Sequence, residues 1–469
     1  MLHVSSASAN GRFPGADQLV IAPSDAQHLL VRATFGFIET YDAGGSWQWI
    51  CEEIVGQIGT ADPPLAVTDD GTIVVGIPFQ GVAISHDRGC TWLYAPPLAN
   101  QLVVDLTGEP SDPASLLVLV STYDAEAPPD AGLAFINRVV ETKDNGRTWT
   151  QLGMALPRDL IATTIEVAPS DARRIYVGGM IGDPPLEAIV RSEDGGQTWI
   201  RTTLPSSNGS GGWFVSAVDS RNPDRLWMRA LAHAPDAFGM ATTTLRMSAD
   251  RGETWSDLAR TEGSMFGFAL SPDGSQLAYG GPQDGIFVGP SDGSGSFAQV
   301  SSLRNRCLTW SASGLYACAT EPYDPFAVGM TRDGGASFRA IYQLADTCPQ
   351  VCPDDGPFAR LCHASWSDPS SGAALLTRAT AESCSVPWAK TGISAEGGPD
   401  ASRSDAGEES GDTRALVASG GSCQQAAGPA RCPALWVGPL LLAWMRTRRR
   451  HLSLAASESR LAENVRRRA

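Results

Sequence analysis

Short apolar runs rich in Val, Ile and Leu recur along most of the chain, among them LVIAP, HLLVRAT, TIVVGIP, RIYVGG and QLAYGG. Each is cut off by Gly, Pro or Asp, and runs of that length and β-branched content bounded by turn formers read as strands. The apolar spacing of a long amphipathic helix is missing from this part of the chain. The pattern predicts an all-β fold built from many short strands.

Strings of the form S/T-x-D-x-G-x-T/S-W/F separate these runs at regular intervals. They are TYDAGGSW from Thr40, SHDRGCTW from Ser85, TKDNGRTW from Thr142, SEDGGQTW from Ser192, SADRGETW from Ser248 and TRDGGASF from Thr331. A degenerate seventh, PSDGSGSF from Pro290, keeps Asp292 and Phe297 but has Ser294 in place of the glycine. Successive starts lie 45, 57, 50, 56, 42 and 41 residues apart, the repeat length of propeller blades. A second turn signal precedes each string: APSDA at 22–26, TDDG at 68–71, PSDPA at 110–114, APSDA at 168–172, NPD at 222–224, SPDG at 271–274 and SASG at 311–314. One unit therefore reads strand, turn, strand, loop, strand, string, strand, and seven units imply a seven-bladed β-propeller with four-stranded blades over residues 16–344.

The spelling of the string follows from turn chemistry. An Asp side chain accepts hydrogen bonds from backbone N–H groups just beyond it, and a Gly two positions on tolerates the positive φ that reverses the chain. The final aromatic stands at a fixed offset, where it packs between sheets. This assigns structural roles to Asp42, Gly44 and Trp47, to Asp87, Gly89 and Trp92, and to Asp144, Gly146 and Trp149. Asp194, Gly196 and Trp199, Asp250, Gly252 and Trp255, Asp292 and Phe297, and Asp333, Gly335 and Phe338 take the same roles. No string sets oxygen ligands at alternating positions followed by a distant Glu, so none reads as a calcium loop. The expected complement of metals and cofactors is none.

These strings resemble the Asp-box, or BNR, repeats of sialidase-type β-propellers, which also occur in sortilin-like receptors, some glycanases and photosystem II assembly factors. The resemblance implies that the strings lie at the blade periphery, away from the ligand face. A sialidase would also need an Arg-Ile-Pro-like segment, further arginines and a Tyr–Glu pair. Arg12-Phe13-Pro14 stands where the first of these belongs, but the match is three residues long and the lead-in to the first strand is the preferred reading. None of Tyr279, Tyr316, Tyr323 and Tyr342 has the sequence context of a nucleophile, so no catalytic residue is nominated. Trp49 and Trp213 suit either a sugar-binding surface or the core, with core packing preferred.

Charge narrows the partners. The 469 residues carry a formal net charge of −16, and the excess of Arg from Arg446 onward places +6 in the tail and hence −22 on the rest. Phosphate-rich partners are repelled by such a body, which excludes nucleic acid. The remaining expectation is a binding or assembly module for an unknown protein or glycan, with a glycoside hydrolase using the central cleft as the rival.

The ten cysteines set the compartment. Cys51 with Cys90, Cys307 with Cys318, and the group Cys348, Cys352, Cys362 and Cys384 form plausible neighbourhoods, which points to disulfides and an oxidising environment. Residues 345–392 read as a Cys-rich cap beyond the last blade, and 393–431 as a flexible low-complexity linker. Residues 432–469 hold the apolar PALWVGPLLLAWM and an Arg cluster, and they resemble the C-terminal sorting tails of myxobacterial surface proteins. Membrane attachment through 432–450 and a place at the bacterial surface are the expectation. The opening MLHVSSASANGRF shows no positive-then-apolar export signal, so export requires a start upstream of Met1.

Overall fold

Middle strands of a blade, such as Ile73–Ile77 and Gly81–Ser85, are buried at every residue. Both of their faces meet a neighbouring sheet, so an uninterrupted apolar run replaces the alternation of a half-exposed strand. Outer strands face solvent and are short and polar, as in Thr150–Gln151 and Ile200–Thr203.

In the computed structural model, residues 14–367 and Cys384 are described, apart from 57–61, 125, 127–134, 183–185, 205–209, 233–241 and 322. Arg12, the linker 393–431 and the tail 432–469 lie outside the described residues. Seven sheets, each of four consecutive antiparallel strands, span 16–50, 65–94, 102–151, 160–203, 210–261, 267–301 and 307–342. They are the seven four-stranded blades of a β-propeller, numbered here in that order. Antiparallel order places the first and third connections of every blade at one end. The two recurring turn signals of the sequence therefore share that end, and they bond there: Ala43 N–H donates to Gln27 O, Gly195 N–H to Arg173 O, and Arg251 N–H to Asp224 O. The opposite end carries the second connections and the crossings between blades, and is called the loop face below.

Six strings fold into the same turn. In blade 3 the Thr142 hydroxyl donates to Asp144 at 2.9 Å and accepts from Gly146 N–H at 3.0 Å. Asp144 also accepts from the backbone and hydroxyl of Thr148 at 2.8 and 2.6 Å. The glycine is at φ 78°, and Asn145 before it is also left-handed at φ 57°. In the seventh string Pro290 stands where the others have a hydroxyl, and the Asp292 carboxylate accepts from Ser294 N–H at 2.9 Å. Asp194 is pulled down to about 2, first by the Thr198 hydroxyl and then by Thr198 N–H. Asp144→Ala is expected to lower stability by about 1 to 2 kcal/mol through the lost hydrogen bonds. Chemical denaturation checks this, and an unchanged midpoint would remove the clip role.

The region after blade 7 departs from expectation. It crosses the seam back to blade 1, where Thr347–Pro349 adds a fifth strand parallel to Trp47–Ile50. Helix Pro357–Ser367 then packs on the short helix Glu52–Val55. This path decides the disulfides: Cys51–Cys362, Cys90–Cys352, Cys348–Cys384 and Cys307–Cys318. Cys307 and Cys318 pair as the hairpin implied. Cys51 and Cys90, expected together, instead each take a partner from the C-terminal segment, which is stapled to blades 1 and 2 and, through Cys348–Cys384, to itself. Beneath it the fully buried Glu39 accepts from Tyr41 Oη at 3.0 Å and from Gln350, whose amide also donates to Arg88 O.

Candidate functional site

Ring closure brings the innermost strands of all blades around one axis. Side chains from these strands reach backbone across the seams: Thr163 Oγ1 donates to Trp213 O at 2.9 Å, and Thr309 Oγ1 to Leu19 O at 2.7 Å. Arg306 pairs with Asp17 to join blades 7 and 1.

Three ionisable groups make further seam links. Asp105 lies on the innermost strand of blade 3, Leu102–Gly108, and Glu166 on that of blade 4, Leu160–Ala168. Arg229 lies on the second strand of blade 5, Leu226–Ala232. All three are largely enclosed by protein yet keep partial solvent exposure. Asp105 accepts from Leu106 N–H and Ile165 N–H at 2.9 and 3.0 Å. Glu166 Oε2 accepts from Thr107 Oγ1 at 3.3 Å. Arg229 donates through Nε to Ser216 Oγ and through Nη1 to the carbonyls of Met265 and Phe266.

Loss of water governs the titration of this group. Burial, reinforced by the negative charge of Asp105, lifts Glu166 to about 8. Burial lifts Asp105 to about 6 against the pull of its two N–H donors. Burial likewise lowers Arg229, opposed by the two carboxyl groups. The folded protein thus keeps a proton on Glu166 that the unfolded chain loses near the ordinary value of 4.5. Between those values the native state binds more protons, so stability falls as pH rises, by up to about 1.4 kcal/mol per pH unit for each such proton. Glu166→Gln is expected to flatten the loss between pH 5 and 8 in urea titrations; an unaltered slope would contradict the assignment.

The loop face carries the exposed rings. Phe79 in blade 2, Tyr123 in blade 3 and Tyr323 in blade 7 are 65%, 61% and 69% exposed. Phe79 is also at φ 62°, two residues beyond Ile77 in a turn closed by Gln80 N–H to Ile77 O at 3.1 Å. Pro78 precedes it, so Phe79 occupies the position of a type II turn that glycine normally takes. Tyr323 is covered on one side by the Arg304 guanidinium, 4.8 Å from the ring centre.

The tryptophans considered for sugar binding are core. Trp49 and Trp213 are buried, and Trp49 Nε1 donates to Phe35 O at 2.8 Å. Two grooves at the string end, of about 610 and 520 Å³, lie between blades 6 and 7 and between blades 7 and 1. Turn residues line much of both, and the second also carries Asp42, Arg339 and Asp346.

No protein-family model matches the chain, and no curated protein does. Among solved structures it is similar to an ancestral GH74 enzyme at 14% identity with a TM-score of 0.51, over 71% of this chain and 47% of that one. A GH74 xyloglucanase from Xanthomonas campestris aligns at 16% identity and TM-score 0.46, over 72% and 61% of the two chains. YCF48 from Cyanidioschyzon merolae aligns at 11% identity and TM-score 0.43, over 66% and 93%. What is shared is the propeller. This chain spans about half the length of the first enzyme, and identity at this level carries the fold without the activity.

Proposed function

We propose that the protein is an extracellular or cell-surface binding module of a bacterium, which engages a protein or glycan ligand on its loop face. The observation that carries this reading is the set of exposed aromatic rings at that end, contributed by blades 2, 3 and 7. Large exposed apolar groups on a rigid scaffold mark interaction sites, and aromatic residues are enriched at the centres of interfaces. Phe79 adds to this, because a bulky residue held left-handed and exposed lowers stability twice over. Four disulfides fit an oxidising compartment. The six like turns support kinship with the Asp-box repeats, and attachment through 432–450 completes the reading.

A second reading, glycoside hydrolysis in the channel, is favoured by one observation. Asp105 and Glu166 come from adjacent innermost strands, and one holds its proton at neutral pH, as a general acid must. Against it, both Asp105 oxygens are committed to backbone N–H groups.

Phe79→Gly separates function from folding. It is expected to hold or raise stability by about 1 kcal/mol, since glycine is at ease at that φ. Combined with Tyr123→Ala and Tyr323→Ala, it is expected to weaken binding on a glycan array or to envelope-protein blots at least tenfold. Asp194→Ala, at the opposite end, should leave binding intact. Ligands retained by the triple variant would refute the loop-face reading.

A further inference from the structure

The chain itself shows what a seam between two blades can hold. Thr347–Pro349 lies parallel to the outer strand of blade 1, with Thr347 opposite Trp47, Cys348 opposite Gln48 and Pro349 opposite Trp49. Gln350 then turns onto the string of blade 2: its backbone N–H donates to Trp49 O at 3.0 Å, and its side-chain amide to Arg88 O at 2.7 Å. Two residues on, Cys352 is bridged to Cys90 of the same string. The segment thus engages an outer strand and the carbonyl of the residue between the Asp and the Gly of the next string.

The seam between blades 7 and 1 repeats these elements around its groove of about 520 Å³. Counted from the strings, Arg339 and Ala340 stand where blade 1 has Gln48 and Trp49, and Ala43 and Gly45 stand where blade 2 has Arg88 and Cys90. These four counterparts all line the groove and all are exposed. Ala43 and Arg88 share a left-handed backbone, at φ 57° and 60°, so the two carbonyls leave their turns alike. Among the described residues no donor reaches Ala43 O. Trp47 Nε1 donates across this seam to Ile341 O at 2.8 Å, which ties the two walls together. The volume falls within the roughly 300 to 1,000 Å³ of ligand clefts. One position differs in kind: the neutral Gln48 is replaced by Arg339, which has no ion pair among the described residues.

We propose that the groove between blades 7 and 1 docks an extended peptide segment of a partner protein, of the form Thr-Glu-Pro-Gln, lying parallel to Arg339–Tyr342. The glutamate stands opposite Arg339, in the register that Cys348 has with Gln48. The glutamine amide donates to Ala43 O, as Gln350 does to Arg88 O. Strand addition takes its affinity from main-chain hydrogen bonds and its selectivity from side chains, and opposite charges on facing residues of neighbouring strands attract. The groove lies at the string end, apart from the exposed rings of the loop face, so the two sites stand or fall separately.

Fluorescence anisotropy with the full chain tests the proposal. The probe is a labelled, end-blocked peptide, Ala-Asp-Thr-Glu-Pro-Gln-Val, which copies residues 345–351 with glutamate in place of the cysteine. One-to-one binding is expected, at least fivefold weaker when lysine replaces the peptide's glutamate or leucine its glutamine. Ala340→Trp, which fills the groove from an exposed position, should weaken binding at least tenfold, whereas Gln151→Trp, at the corresponding exposed place in blade 3, should leave it unchanged. Arg339→Glu should reverse the charge preference, so that the lysine peptide binds better than the glutamate peptide. Absence of binding by the unaltered protein, binding unchanged by Ala340→Trp, or a charge preference that Arg339→Glu leaves as it was would each overturn the site.

Discussion

Replacing both long-range disulfides, Cys51–Cys362 and Cys90–Cys352, by alanine pairs is expected to destabilise the protein by about 5 to 9 kcal/mol. These bridges span 311 and 262 residues, so in the unfolded chain they close almost the whole propeller into a loop. Loop entropy grows with the logarithm of length, and the hairpin bridge Cys307–Cys318, spanning 11 residues, should contribute only about 3 kcal/mol by the same relation. The loss is comparable to the whole stability of a typical domain. Urea midpoints of the two variants decide it. Equal losses from the long pair and the short one would mean that the C-terminal segment does not staple the ring.

Trp47→Ala is expected to cost about 3 to 5 kcal/mol, the range for emptying a large aromatic site. Its indole is buried, lies 4.8 Å from the Tyr342 ring and donates to Ile341 O at 2.8 Å, across the seam between blades 1 and 7. Trp92 occupies the same place in the next string, but it is only half-buried and its N–H bonds Gly89 O of its own turn at 3.0 Å. Trp92→Ala should therefore cost roughly half as much. Hydrogen exchange adds a spatial check: amides of blades 1 and 7 should lose protection in Trp47→Ala before those of blades 3 and 4.

Local chemistry explains why the blades were legible. The Asp–Gly turn is complete within eight residues, as the bonds around Asp144 show, so it can be read without knowing what surrounds it. The seventh string was also legible as degenerate, because Pro290 and Ser294 withhold the hydroxyl and the left-handed glycine that the others supply. Cys307 and Cys318 could be paired because they stand directly opposite in a hairpin. Cys51 and Cys362 could not. Their meeting depends on Thr347–Pro349 lying along blade 1, a contact between the two ends of the fold that no local pattern encodes.

The three seam charges also left a trace in the sequence. Asp105 interrupts LVVDLTG, Glu166 interrupts TTIEVA and Arg229 interrupts LWMRALA, each a charge inside an otherwise apolar strand. A charge in such a run must find partners or enclosed water. That they come from three different blades and still feel one another's charge is a property of the closed ring and of no single blade. The loop-face rings were hidden for the opposite reason, since an aromatic beside a turn is also the commonest core residue of a blade.

The most direct test of the central claim, that this propeller binds without cleaving, is the chain length of candidate polymers after long incubation with the purified protein. Xyloglucan, a mixed-linkage β-glucan and sialyllactose are followed by size-exclusion chromatography and reducing-end assay at pH 5 and pH 7, beside Glu166→Gln and Asp105→Asn. The account predicts unchanged length and no new reducing ends for every substrate. Cleavage by the unaltered protein that disappears in either variant would contradict it and make the channel an active site.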